Sequence, residues 1–240
     1  MELPSSPELI FSCEHAGNLI PNEYVFLFEG AEQILNSHRG WDPGSFELAQ
    51  ILSERTGSEL FTYSFTRLFI ELNRSIGHPK LFSEFTRSLS RTEKQAIIEK
   101  YYHPHRMRVA DAINKNISKN RPVIHISVHT FTPILDGKER NFEIGLLYDS
   151  KRNHEKNVCR IWKSQINEIL PDLRLRMNQP YKGISDGFTT FLRKNFCENS
   201  YLGIELEVNQ KLCEDRNKWL QFCTNMSAVL QNLRENFKPD

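Results

Sequence analysis

Apolar positions along the chain follow two periods. The run Leu9-Ile-Phe turns within a few residues into Cys13, Glu14 and His15, followed by Gly17, Asn18 and Pro21. A near-continuous apolar run marks a strand buried on both faces, and the carboxyl end of such a strand is where α/β proteins carry ligands. Short apolar or alternating runs return at residues 59–65, 122–129, 142–148, 173–177 and 201–208. Between them, helical spacing predicts a helix that starts in Trp41-Asp-Pro-Gly-Ser-Phe46, with Asp42 as N-cap and Pro43 at the first helical position, and stops at Gly57. A second is opened by the capping box Ser90-Arg-Thr-Glu93 and broken or kinked at Pro104. Ala110, Ile113 and Ile117 mark a further helical stretch, and helices are predicted over residues 152–169, 188–196 and 214–237. Residues 77–90 are irregular and read as a surface excursion. Strands alternating with helices predict an α/β fold, a single domain over residues 1–240 with a mostly parallel mixed central sheet flanked by helices.

Composition narrows the class of function. With 39% apolar and 25% charged residues the chain has material for a core and is not a disordered polymer. A formal net charge of +1 supplies no field to attract nucleic acid. No apolar run approaches a membrane span, and the start Met-Glu-Leu-Pro-Ser-Ser-Pro lacks the basic and apolar regions of a leader, so a cytoplasmic location is expected. Five scattered cysteines without C-x-x-C spacing indicate free thiols rather than a disulfide framework or a zinc knuckle.

Three predicted strands end in ionisable groups: His15, His129, and the pair Glu205 and Glu207. Period two places His125, Ser127 and His129 on one face and the two glutamates on another shared face. Strands of one parallel sheet end on the same side, so these groups can converge. Two imidazoles and one carboxylate are the protein ligands of several catalytic zinc sites. Asp42, at the start of the helix after the first strand, is the preferred carboxylate. Glu14 is adjacent to His15 but faces away if the strand stays regular, and His38 is a further alternative. Taken singly, Asp42 is accounted for as a helix cap, Glu205 and Glu207 as surface groups of an edge strand, and His38, His103 and His105 as solvated residues.

Several segments taken together are more specific. Ser12-Cys-Glu-His-Ala-Gly-Asn-Leu-Ile-Pro21, His38-Arg-Gly-Trp-Asp-Pro-Gly44, Arg67 with Asn73-Arg74, Ser127-Val-His-Thr-Phe-Thr-Pro133 with Gly137 and Arg140, and Gly203-Ile-Glu-Leu-Glu-Val-Asn-Gln210 resemble, in order, the motifs of the N-formylglutamate amidohydrolase family. The resemblance implies a zinc-dependent amidohydrolase with a phosphorylase/hydrolase-like fold, similar in layout to zinc carboxypeptidases, aspartoacylases and cell-wall amidases. It implies His15, Asp42 and His129 as ligands of one zinc or other divalent ion, and Glu207 as general base with Glu205 as the alternative. It implies that Arg67 polarises the scissile carbonyl and that Asn73 and Arg74 bind a substrate carboxylate, with Arg140 a weaker candidate for a second one. The implied reaction is hydrolysis of N-formyl-L-glutamate to formate and L-glutamate. The alternatives are another acyl amino acid or peptide, or a non-catalytic member that binds a small acid; the expected partner in every case is a small acidic molecule. Glu71 departs from the Asp that relatives often carry there, and little consequence is expected.

Overall fold

The computed structural model describes residues 6–237; Met1 to Ser5, which the leader argument partly rests on, lie outside the described residues. Six strands form the central sheet: β1 (Glu8–Cys13), β2 (Glu59–Thr62), β3 (Val123–Phe131), β6 (Ile144–Leu147), β7 (Leu175–Met177) and β8 (Tyr201–Asn209), in the order β2-β1-β3-β8-β6-β7. The short strands β4 (Ile134–Leu135) and β5 (Lys138–Glu139) make a separate antiparallel hairpin. The first four strands of that order are parallel, β6 is antiparallel to β8, and β7 is parallel to β6. The sheet is therefore mostly parallel and mixed, as the alternation of elements predicts.

The helices are α1 (Glu32–Leu35), α2 (Ser45–Thr56), α3 (Arg91–Ile97), α4 (His103–Ile117), α5 (Asn153–Ile169), α6 (Phe188–Asn195) and α7 (Arg216–Asn236). Strand alternation divides the core between two faces. Leu9, Phe11, Ile124, Ile126, Val128, Leu202, Ile204 and Leu206 pack with α2, α5 and α7, where Trp162 and Trp219 are buried. Ile10, Val123 and Tyr201 turn to the other face, against α4 and α6. Each large apolar side chain buried in this way contributes about 1.5–3 kcal/mol of transfer free energy. No described helix is long and apolar enough to cross a membrane.

Several local expectations are corrected. Helix α2 starts at Ser45 with Gly44, at φ 85°, as its N-cap, and no side chain caps it. Asp42 is thus not the cap, nor is Pro43 the first helical residue, because the left-handed turn at Gly44 delays the helix and frees the Asp42 carboxylate. Gly57 does end α2, and the Ser90/Glu93 capping box is formed. Pro104 does not end the helical run. A π-turn over Ile98–Tyr102 absorbs its missing donor and continues into α4. Residues 77–90 are not a bare excursion: Leu81 is buried and Phe82 and Phe85 pack on a second cluster with Phe28, Phe69 and Ile97.

Candidate active site

The site is built on the face of the sheet that carries few apolar side chains. On β3 and β8 the register pairs Ser127 with Glu205 and His129 with Glu207, while β1 brings Ser12 beside Ser127. Alternation therefore sends a polar column to one face at the carboxyl ends of three adjacent parallel strands. Strand β1 ends at Cys13. Glu14 keeps the face of Ser12, and the chain then leaves the strand, so His15 reaches the same side instead of the opposite one.

His15 Nδ1, His129 Nδ1 and Asp42 Oδ2 form a nearly equilateral triangle: 3.1 Å between the two nitrogens, 3.1 Å from His15 to Asp42 and 3.0 Å from His129 to Asp42. All three residues are buried. The outer atoms of each group are engaged. His15 Nε2 lies 2.6 Å from Glu71 Oε1, which can only accept, so this nitrogen carries the proton. Ser127 Oγ donates to Glu14 Oε2 at 2.6 Å and accepts from His129 Nε2 at 2.8 Å. Asp42 Oδ1 accepts from Arg67 Nη1 at 3.1 Å. With neutral imidazoles the network thereby leaves a lone pair at every corner of the triangle.

Three converging lone pairs repel unless a cation joins them, and this donor set fits a divalent metal. Bonds of the usual zinc length in a tetrahedral arrangement place neighbouring ligand atoms about 3.3 Å apart, close to the observed edges. Outer carboxylates on both imidazoles are the usual support of such ligands. Without a cation the same convergence attracts protons. Burial and Arg67 pull His15 toward neutrality, and Glu71 and Asp42 outweigh them and raise its pKa. Burial opposes the charge on His129 too, yet Asp42 and Glu14 hold its pKa well above the ordinary value. Asp42 and Glu71 are buried but kept ionised, the first by the histidines and Arg67, the second by Arg67 and His15.

Glu207 differs from these carboxylates. It is 5% exposed, Oε2 has no hydrogen-bond partner among the described residues, and burial raises its pKa to about 7, with Asp42 and Glu205 also pushing it up. Its place depends on Gly145 opposite, where a Cβ would stand 3.2 Å from that of Glu207 and 2.0 Å from the Gln179 carbonyl oxygen. Glu205 is instead engaged by Thr189 Oγ1 at 2.7 Å. Strand β8 is central, so neither glutamate belongs to an edge strand.

A cavity of about 340 Å³ contains these groups together with Arg67, Asn73, Arg74 and Tyr181, a size suited to a small ligand. Arg67 spends Nε and Nη2 on Glu71 at 2.8 and 2.6 Å and one Nη1 hydrogen on Asp42, which leaves two of its five N–H groups. Asn73 Oδ1 accepts from the Phe188 amide at 2.6 Å, leaving its NH₂ group for a ligand. Arg74 Nη1 is tied to the Asp186 carbonyl, and its other nitrogens remain.

The expected residues His15, Asp42, Arg67, Asn73, Arg74, His129, Glu205 and Glu207 are thus brought together. Arg140 is not among them and lines a neighbouring cavity. His38 is exposed, whereas His105, expected to be solvated, is buried 3.7 Å from Glu14. Glu71 and Glu14 are the groups sequence reasoning undervalued. The spacing from Arg67 to Glu71, four residues, was the available signal for one; nothing local signals that Asp186 receives Arg74 and Ser75.

A buried donor triangle, a carboxyl poised near neutrality and arginines with uncommitted N–H groups thus meet in one cavity. The profile of the family described as N-formylglutamate amidohydrolase matches residues 7–213, and the chain belongs to that family. Among solved structures it is similar to a gene product of Agrobacterium tumefaciens, with 25% identity, a TM-score of 0.82 and coverage of 96% of this chain and 92% of that one. It also shares its fold with the N-formylglutamate amidohydrolase of Ralstonia eutropha JMP134, at 17% identity, a TM-score of 0.71 and coverage of 97% and 95%. No curated protein matches significantly.

Proposed function

We propose that the protein is a metal-dependent amidohydrolase that cleaves N-acyl amino acids, with N-formyl-L-glutamate giving formate and L-glutamate as the specific reaction. The observation that carries this reading is the buried triangle of His15, Asp42 and His129 donor atoms beside Glu207. Family membership supports the amide as the bond attacked.

His15, Asp42 and His129 would hold the ion. A divalent metal such as zinc supplies Lewis acidity there, acidifying water and polarising a carbonyl. Glu207, with its pKa near neutrality, accepts a proton from the attacking water as the new C–O bond forms. It returns that proton to the amide nitrogen as the C–N bond breaks, so the acid and the free amine leave in balance. The uncommitted N–H groups of Arg67 face the developing oxyanion, an interaction whose loss typically costs about a hundredfold or more. The free nitrogens of Arg74 and the Asn73 amide bind the substrate's carboxylate, for which a guanidinium fork is suited.

The test is formate release from N-formyl-L-glutamate by protein loaded with zinc, cobalt or manganese, beside a panel of N-acetyl and N-formyl amino acids. Turnover of the formyl diacid above the others is expected. Unchanged turnover in Glu207→Gln would remove Glu207 as the base and return the role to Glu205.

A further inference from the structure

Arg106, on α4, is a buried cation without an acidic partner. It is 4% exposed and forms no ion pair among the described residues. Its Nη2 has no hydrogen-bond partner among them, and burial pulls its pKa down. Taking a guanidinium out of water without a carboxylate is costly, and an apolar side chain of similar volume fills such a place at lower cost. Arg106 instead makes a set of directed contacts.

Its guanidinium lies over three rings, 4.7 Å from the centroid of Tyr102, 4.6 Å from that of Phe188 and 4.3 Å from that of Phe191. A planar cation can stack on rings and still donate from its edge. Nη1 donates to the Leu72 carbonyl at 2.9 Å and to the Arg74 carbonyl at 3.2 Å. The Tyr102 hydroxyl donates to the same Arg74 carbonyl at 2.7 Å. Tyr102 and Arg106 are four residues apart on one continuous helical run, so one face of it carries both donors. The two carbonyls they hold flank Asn73.

The other side of this turn is held by the approach to α6. The Ser75 N–H donates to Asp186 Oδ2 at 2.9 Å, Arg74 Nη1 to the Asp186 carbonyl, and the Phe188 N–H to Asn73 Oδ1 at 2.6 Å. Within the turn, the Asn73 N–H donates to Glu71 Oε1 at 3.0 Å and the Arg74 N–H to the Glu71 carbonyl at 3.1 Å. Arg106 touches both sides, the carbonyls of the turn and the rings of α6. Asn73 and Arg74 line the cavity with Glu207, and Arg106 is not among its lining residues.

We propose that Arg106, assisted by Tyr102, is a positioning residue: by holding the Leu72 and Arg74 carbonyls against the rings of α6, it aims the Asn73 amide and the Arg74 guanidinium into the cavity. The inference rests on the reading of that cavity as the place where substrate binds. It assigns the cost of a buried cation without a carboxylate to the site rather than to the fold.

The test uses the full chain with Arg106→Met, Arg106→Lys and Tyr102→Phe, read by hydrogen exchange and by calorimetric binding of L-glutamate. The amides of Asn73, Arg74, Ser75 and Phe188 report the turn without any ligand. In Arg106→Met they are expected to exchange about tenfold faster or more, with the β3 amides unchanged, and L-glutamate is expected to bind about fivefold more weakly or worse. Arg106→Lys should recover part of both changes. Tyr102→Phe keeps the ring and loses one hydrogen bond, and should show both changes in smaller measure. Since Arg106 acts through Arg74, adding Arg106→Met to Arg74→Met should weaken L-glutamate by no more than about twofold. Unchanged exchange, faster exchange with wild-type affinity, or additive losses in the double variant overturn the proposal. Should Arg106→Met fail to fold, the same readings in Tyr102→Phe and Arg106→Lys decide. A wild type that binds no L-glutamate, with a turn that loosens in these variants, would leave the hold on Asn73 and Arg74 standing and defeat the hydrolase reading alone.

Discussion

Glu71 Oε1 accepts from His15 Nε2 at 2.6 Å, while Glu71 Oε2 takes Arg67 Nε at 2.8 Å. One carboxylate thereby fixes the tautomer of a candidate ligand and the direction of the arginine beside it. Glu71→Gln keeps the shape and removes the charge that holds both. Metal affinity, measured by chelator competition, is expected to weaken about 10–100-fold, the usual effect of losing an outer partner of a ligating histidine. Affinity equal to the wild type would show that His15 is oriented without Glu71.

Glu207 is predicted to trade stability for chemistry. Its folded pKa, about 7, is raised above the ordinary 4.5, so ionising it costs folding free energy. That cost is absent below pH 4.5, grows between the two values and is complete above pH 7, on the order of 3 kcal/mol. Glu207→Gln should therefore stabilise the metal-free protein in urea unfolding at pH 8.5 and not at pH 4, while lowering kcat by about a hundredfold or more. In the wild type the acidic limb of kcat/KM reports the same group, displaced below pH 7 when a cation is bound nearby. Equal stability of variant and wild type at both pH values would contradict the burial argument.

The parallel run of the sheet and the meeting of His15, His129 and Glu207 were legible because strands alternate with helices and parallel strands end on one side, but not the strand order, nor that His15 escapes the face that period two would give it. Asp42 was legible as a member of the buried cluster but for an incomplete reason. The cap role competed for it, and only the positive φ of Gly44 shows that the helix begins too late to use it. The reversal of β6 against β8, the π-turn before Pro104 and the burial of His105 depend on partners remote in sequence. Arg140 shows the same limit, since its motif neighbours mark a site but not that its guanidinium lines the neighbouring cavity.

Glu14 should carry stability of the opposite pH dependence. Burial would raise its pKa, but His105 and His129 more than offset this and keep it lowered. The stability it contributes is present above the ordinary value of 4.5 and is lost as pH falls through the folded value. In the metal-free protein Glu14→Gln leaves buried histidines facing a neutral amide, a change expected to cost about 3 kcal/mol at pH 7. The difference from wild type should shrink below pH 4.5, as read by urea unfolding across pH. A constant difference would assign the loss to packing.

Two glycines near the site are expected to fail in different ways. A Cβ at Gly145 would meet the Gln179 carbonyl oxygen at 2.0 Å, a backbone atom that cannot move without displacing the chain beside β6. Gly145→Ala should therefore unfold the protein or lower its melting temperature by many degrees, since strain in a packed core costs about 1–3 kcal/mol or more. At Gly187 the nearest atoms are Asn73 Oδ1 at 3.0 Å and Glu205 Oε1 at 3.3 Å, both ends of side chains that can yield. Yielding turns the Asn73 amide away from the Phe188 N–H and changes what it offers the substrate. Gly187→Ala is thus expected to fold with a melting temperature close to wild type and to raise KM severalfold more than it lowers kcat. Equal losses of stability in the two variants, by calorimetry, would show that the Asn73 and Glu205 side chains are as rigid as backbone.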